Sequence, residues 1–295
     1  MPNPTRNIPL GFTLGFLGVV IFGGTLPATV LALPSFGPLF IASSRASAAA
    51  VLAAIVLVAL RRRLARSDLG AVFVAGLMVT FGFPAFSSLA MQTVDASHGG
   101  VVLGILPLAT AVFAVLLTGE RPGKALWLWS VLGAALVIWF VLGRANGAGG
   151  LGAEIGDFWL LAASLSAALG YVIMGRLSGR MPGWEAICWV LVVTAPINFI
   201  LTGLLWEDRY MSPDPVAALA LGYHAVFSMF LGFFAWNAGL AVGGIARVGQ
   251  VQLLQIFVTV ALSAVLLGEQ ITPRTLLFAV AVATTVWMGR KARIS

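Results

Sequence analysis

The chain has 295 residues, of which 60% are hydrophobic and only 9% charged, against roughly 25% charged in soluble domains. So little charge cannot clothe a water-facing surface, and lipid has to cover much of the molecule. The formal net charge is +7, but the basic residues sit in short connections between apolar runs. A nucleic-acid binder needs them gathered on one folded face, and no such face is visible. The single cysteine, Cys188, excludes an intrachain disulfide and a thiolate metal site. Its neighbours Ile187 and Trp189 make it a packing residue.

A bilayer core takes about 20 apolar residues as helix. In chain order, such runs cover 9–33, 37–60, 69–92, 98–118, 124–143, 157–176, 184–205, 216–242, 246–267 and 273–289. The first run follows Arg6 as a signal peptide would, but it is long enough to span and nine more follow it. The expected fold class is an all-α membrane protein with ten transmembrane helices. Most connections are short, as antiparallel neighbours require. The two longest are 144–156, rich in Gly and Ala, and 206–215, which carries Glu207, Asp208, Arg209 and Asp214. Neither makes a domain.

Lys and Arg divide unevenly between the two sides. With the N-terminus inside, the inner side holds Arg6, Arg61, Arg62, Arg63, Arg66, Arg121, Lys124, Arg176, Arg180, Arg247, Arg290, Lys291 and Arg293. The outer side holds only Arg144, Arg209 and Arg274. That bias predicts cytoplasmic N- and C-termini.

Displaced by 149 residues, the chain matches itself. Gly119-Glu120 falls on Gly268-Glu269, each closing a span; Gly100, Val102 and Thr110 fall on Gly249, Val251 and Thr259; Ala134, Val137 and Arg144 fall on Ala283, Val286 and Arg293. Each half, 1–148 and 149–295, holds five spans. Five is odd, so the second half enters the membrane upside down, and the two form one membrane domain of inverted repeats. That architecture lets two halves exchange roles around a midplane site. An enzyme or a structural subunit has no need of it.

Several short stretches carry a family likeness. Phe22-Gly23-Gly24 stands mid-span, followed by Pro38 and by Arg45 in the second span. Leu106-Pro107-Leu108 precedes Leu117-Thr118-Gly119-Glu120 in and after the fourth, and Leu254-Gln255-Ile256 precedes Leu267-Gly268-Glu269 in and after the ninth. In this order they resemble the drug/metabolite transporter superfamily, in its ten-helix EamA-type branch, over almost the whole chain. One departure is Ile256, where a proline matching Pro107 is usual. The resemblance implies a multi-pass bacterial inner-membrane exporter of small metabolites, a monomer or weak dimer using neither metal nor cofactor. Within the branch, the likeness is to exporters of aromatic and other neutral amino acids. Export of drugs, lipophilic cations or sugar derivatives is the alternative. A membrane-embedded enzyme or lipid-handling protein is the alternative of a different class.

Arg45 stands nine residues into its span, about 13 Å of helical rise, too deep for easy snorkelling. It is either a partner for a substrate carboxylate or a lock onto carbonyls freed where Gly23, Gly24 and Pro27 loosen the first span. In the ninth span Gln252, Gln255, Thr259 and Ser263 share one helical face. Their counterparts in the fourth are Leu103, Leu106, Thr110 and Ala114. A stripe of neutral amides and hydroxyls suits a zwitterion. The eighth span offers Trp236 and Asn237 to a cavity, and His224 as the side chain able to move protons near neutral pH. Ser87 and Ser88 in the third span and Tyr171 in the sixth complete the candidate lining. No Asp or Glu lies inside a span: Asp95, Glu120, Asp157, Glu185, Glu207 and Glu269 all sit at span ends or in loops. No cluster of carboxylates, nucleophiles or metal ligands suits hydrolytic or acid–base catalysis.

Overall fold

A computed structural model describes residues 8–118, 124–143, 154–243 and 249–294. The Gly119-Glu120 pair, Arg6, Arg121, Arg144, Arg247 and the 148/149 boundary lie outside these residues. Within a bilayer every backbone N–H and C=O must be paired inside the protein, and the apolar runs meet that demand as helices. Seven are long enough to cross on their own: α1 (Pro9–Ala32), α2 (Pro38–Ala59), α3 (Arg66–Ala90), α4 (Ala96–Leu117), α6 (Ile155–Leu177), α7 (Gly183–Leu204) and α8 (Pro215–Val242). Three shorter apolar helices, α5 (Trp127–Leu142), α9 (Val251–Leu267) and α10 (Pro273–Met288), bring the total to ten.

Local chemistry sets the ends. Pro38 opens α2 after Gly37, where its missing N–H loses nothing. Asp214 caps α8, accepting from the N–H groups of Val216 at 2.8 Å and Ala217 at 3.3 Å. Gly268 closes α9 at φ +68°, a left-handed conformation that suits glycine. Large apolar side chains such as Val58, Leu204 and Val265 face outward, as a lipid-facing surface requires.

The helices pack as a pseudo-twofold. α1 lies along the Gly232–Gly243 part of α8, α2 along α7, α3 and α4 along α6, α4 against α9, and α5 along α10. Exchanging the halves turns the α1–α8 contact into the α6–α3 contact and leaves α2–α7, α4–α9 and α5–α10 unchanged. Irregular turns obey the same rule. α3 carries a π-helical segment at Leu77–Gly82 and α8 one at His224–Leu231. α4 carries a 3-10 turn at Leu103–Ile105 and α9 one at Gly249–Leu253. The repeat expected from sequence is thus visible in where the helices depart from ideality.

Two buried clusters flank the centre. One gathers α2, α3, α6, α7 and α8 around residues such as Leu57, Val79, Ile187 and Met229. The other gathers α4, α5, α9 and α10 around Val101, Phe140, Ile256 and Val282. α1 runs between them, giving Phe22 to the first and Leu26 to the second. It presses closely on α8, where a Cβ added to Gly239 would fall 2.6 Å from the backbone nitrogen of Gly15. Only glycine permits that approach. Below, the end of the bundle where α1 starts and α10 finishes is the near end, and the opposite one the far end.

Candidate functional site

The site is built around a break in α1. Pro27 has no N–H, so the carbonyl of Gly23, four residues back, has no helical donor. Helical structure is interrupted there at Gly24. The second half supplies what the helix lacks. Thr259 of α9 donates its hydroxyl to Gly23 O at 2.9 Å, and Tyr223 of α8 donates to Ile21 O at 2.5 Å. One turn on, Thr29 bonds back to Thr25 O at 2.9 Å.

Beside the break a narrow cleft opens between the halves. Phe22, Thr25 and Leu26 of α1, Phe83 of α3, and Gly100, Leu103, Gly104 and Leu106 of α4 form one side. Gln252, Leu253, Gln255, Ile256 and Thr259 of α9 form the other. Gly100 and Gly104 let α4 come close to α9, since a Cβ on either would meet Thr259 or Ile256 within 3 Å. The walls are mainly apolar with a few directed polar groups, as small-molecule sites are. Among the described residues, no Asp or Glu lines the cleft.

The polar face of α9 is therefore brought together on one wall. Its members differ in what they have left to offer. The Thr259 hydroxyl is committed to Gly23. Ser263 is buried behind the lining and donates to Thr259 O at 2.8 Å. Gln255 is partly exposed and its amide makes no bond to the described residues. Opposite it stand the apolar counterparts Leu103 and Leu106, so the cleft has one polar and one greasy side.

The other expected residues lie elsewhere. Trp236 packs at Gly18 of α1, where a Cβ on the glycine would come within 3.0 Å of the tryptophan Cβ. Asn237 donates to Gly183 O at 3.0 Å and ties α8 to the start of α7. Tyr171 sits edge-on to Phe233, with 6.4 Å between ring centres, behind Phe83 and Leu106. Ser87 is buried and donates to Pro84 O at 3.2 Å, while the equally buried Ser88 hydroxyl has no partner. The aromatic faces of the cleft come instead from Phe22 and Phe83. Phe22 adjoins the Gly23-Gly24 break, which the sequence marked as a loosened stretch without placing Phe22 at the site.

Arg45 and His224 form a second polar group behind the α1 wall. Arg45 is 2% exposed, and its Nη2 donates to the Ser228 hydroxyl at 3.2 Å. Ser228 in turn lies 2.8 Å from the Thr25 hydroxyl. His224 Nε2 lies 3.2 Å from the Thr29 hydroxyl. Of the two roles open to Arg45, the carbonyl lock is not the arrangement found: Tyr223 and Thr259 hold the carbonyls of Ile21 and Gly23, and Arg45 bonds Ser228.

Three ties between the halves went unread in the sequence. His98 of α4 and Asp157 of α6 form a buried pair, Nε2 to Oδ1 at 2.6 Å. The Glu269 carboxylate, just past α9, accepts from the backbone N–H groups of Ala96 at 2.9 Å and Ser97 at 3.0 Å, at the start of α4. Arg274 of α10 donates to Phe140 O of α5 at 2.6 Å. All three stand at the far end. Glu269 had stood out only as one member of the repeated Gly-Glu pair.

Comparison with known proteins agrees with this architecture. The sequence matches the EamA-like transporter family over residues 9–142 and again over 154–288, one match for each half. It is 42% identical over 270 residues to a Bacillus subtilis protein, the uncharacterized transporter YdeK, covering 91% of this chain and 92% of that one. It is 26% identical over 181 residues to the aromatic amino acid exporter YddG of Ancylobacter novellus, covering 60% of this chain and 61% of that one. A solved crystal structure at 18% identity shares the fold, with a TM-score of 0.63 over 94% of this chain and 95% of the other. With the family matched twice along its length, the ten helices paired by exchange of halves, and a cleft between them, the chain belongs to the EamA-like transporter family.

Proposed function

We infer that the protein exports small neutral amino acids, aromatic ones among them, from the cytoplasm across the bacterial inner membrane by alternating access of its two halves. The observation that carries this reading is the uncommitted amide of Gln255, held on one wall of the cleft with Phe22 and Phe83 within the same lining. An amide offers both a donor and an acceptor to a zwitterion without trapping a charge. The phenyl faces suit an apolar or aromatic side chain. The likeness to an aromatic amino acid exporter supports the same substrate class. No carboxylate among the described residues lines the cleft, which counts against a lipophilic cation.

On this reading the near end faces the cytoplasm, as the bias of Lys and Arg requires. A cysteine at Ser67, introduced with Cys188→Ala, should then label only from inside. The substrate's own gradient suffices as the driving force, with no proton required. His224 is the one histidine beside the centre, and its bond to Thr29 gives it a structural task.

Proteoliposomes holding only this protein provide the test. Saturable phenylalanine or leucine efflux, without an imposed pH gradient and retained in His224→Gln, is the expected result. A buried polar group left without its partner costs about 1–3 kcal/mol, so Gln255→Leu should slow flux at low substrate about ten-fold while leaving the fold intact. Wild-type flux of every amino acid in Gln255→Leu would remove the amide from the site. Flux that needs a proton gradient and disappears in His224→Gln would replace the uncoupled mechanism.

A further inference from the structure

The group behind the α1 wall has a feature that packing does not explain. Arginine carries five N–H donors and cannot be neutralised. In Arg45 only Nη2 has a described acceptor, the Ser228 hydroxyl at 3.2 Å. Nε and Nη1 are buried and have none, which leaves the one N–H of Nε and both of Nη1 unused. No ion pair reaches Arg45 from any described residue.

A lone cation inside a membrane protein is expensive, and such residues pair with a carboxylate, with carbonyls or with a ligand. Carbonyls freed at the α1 break would be natural acceptors. Those of Ile21 and Gly23 are already bonded to Tyr223 and Thr259. The side chain is thus surrounded by hydroxyls rather than anions: Ser228 directly, and Thr25 one hydrogen bond further, 2.8 Å from Ser228. Thr25 belongs to the cleft lining. Two small hydroxyls therefore link the guanidinium to the cleft, and a helical Thr has two χ1 rotamers open to it.

We propose that Arg45, Ser228 and Thr25 form a subsite for the carboxylate of the transported molecule, which joins the cleft where Thr25 releases Ser228. The carboxylate accepts from Arg45 and from the two hydroxyls, so the cation gains an anion only while cargo is aboard. A single positive charge with neutral neighbours matches a monoanion. The same charge repels an ammonium, which is left at the Gln255 side of the cleft. A carboxylate is then required for recognition and an amino group is not. This subsite rests on the transport reading for the route by which the anion arrives, but its ligand chemistry is independent of the amino-acid assignment.

The test is thermal unfolding of the full-length protein in detergent against probes that share one aryl body. These are phenylalanine, 3-phenylpropionate without the amine, and phenethylamine without the carboxylate, with chloride and gluconate salts compared in parallel. Phenylalanine and 3-phenylpropionate should each raise the midpoint in a saturable way, and phenethylamine should not. Arg45→Gln should weaken 3-phenylpropionate at least ten-fold. Should Arg45→Gln not fold, Ser228→Ala decides, with several-fold weakening expected and the charge kept. Protection by phenethylamine equal to that by 3-phenylpropionate, or unchanged 3-phenylpropionate affinity in Ser228→Ala or a folded Arg45→Gln, would overturn the subsite. Protection by chloride as strong as that by 3-phenylpropionate would overturn its assignment to a carboxylate. Binding of 3-phenylpropionate but of no amino acid would leave the subsite standing and remove the amino-acid reading. Amino-acid binding indifferent to Arg45→Gln and Ser228→Ala would do the reverse.

Discussion

At the far end, Gly37 N–H donates to Tyr210 and Asp214 N–H to Ser35 in the outer connections, but three further ties between the halves fall on the helices that wall the cleft and on their immediate neighbours. Glu269 caps the start of α4, Asp157 pairs with His98 in that same first turn, and Arg274 holds the end of α5. At the near end, the described bonds between halves fall away from the cleft. Arg180 pairs with Asp68 at 2.5 Å and Arg62 with Glu185 at 3.6 Å, joining the α2–α3 connection to the α6–α7 region. The two ends also differ in solvent. His98 and Asp157 side chains are 8% and 6% exposed, whereas the arginines at the near end are 66% and 46% exposed. Buried pairs are costly to break and sharply directional, while pairs with an exposed member are screened and forgiving. A latch belongs where one geometry must win, and the far end has the chemistry of one.

Mutations can break or sharpen that contrast. The largest effect is expected from Asp157→Asn, which leaves His98 facing an amide in a dry site. It should lower stability by about 3 kcal/mol, read as a fall in the unfolding midpoint. A midpoint within a degree of wild type would show that the pair is decorative. Next is Glu269→Gln. The cap loses its charge and one of its two bonds, a loss on the order of 1 kcal/mol. A cysteine placed at Thr93 should then react with a thiol reagent several-fold faster than in the parent, because the start of α4 opens more often. Equal rates would mean that Glu269 does not hold the far end shut. Arg62→Ala should matter less, within about 1 kcal/mol, because Glu185 keeps its bond from Trp189. A loss matching that of Asp157→Asn would erase the difference between the ends.

The smallest expected effect is one of pH, in the 205–214 connection. Tyr210 donates to Glu207 at 2.8 Å, and Arg209 pairs with the same carboxylate at 2.7 Å. The Tyr210 hydrogen bond first, and the Arg209 bond after it, hold the Glu207 carboxyl below its ordinary value of 4.5. A depressed carboxylate stabilises the fold above its unfolded pKa, and that contribution is lost as pH falls through the folded one. Midpoints for wild type and Glu207→Gln should run parallel above pH 5 or so and converge only in more acid solution. Divergence near neutral pH would contradict the assignment.

The fold was open to reading because apolar length and basic side chains obey the bilayer, which acts on every residue in a span. The ten runs follow from apolar length, the repeat from the self-match at 149 residues, and the polar face of α9 from helical periodicity. The lining contributed by Gln252, Gln255 and Thr259 is legible for the same reason, since polar residues on one stripe of a membrane helix have few places to face. Trp236 and Asn237 looked equally eligible. Their directions depend on how closely α1 and α8 approach at Gly15, Gly18 and Gly239, a property of a pair of helices rather than of either. Asp157 and Glu185 read as acids at span ends or in loops because they stand at helix ends. Their burial comes from a neighbour far along the chain that no local pattern announces. The Ser228 and Thr25 hydroxyls carry no sequence signal at all, since isolated serines and threonines are common in membrane helices and only contact gives them meaning.

The broken first helix has a consequence for how the protein is made. Its unsatisfied carbonyls are completed by Tyr223 and Thr259, which follow their partners by 202 and 236 residues. At synthesis rates of roughly 5–20 residues per second, the ribosome needs roughly 10–50 s to reach the second of them. The α1 segment therefore enters the bilayer long before its permanent partners are made. Until then its two freed carbonyls need water or a helper protein, so an insertase or chaperone that shelters an early, incomplete span should matter more for this chain than for one whose first helix is whole.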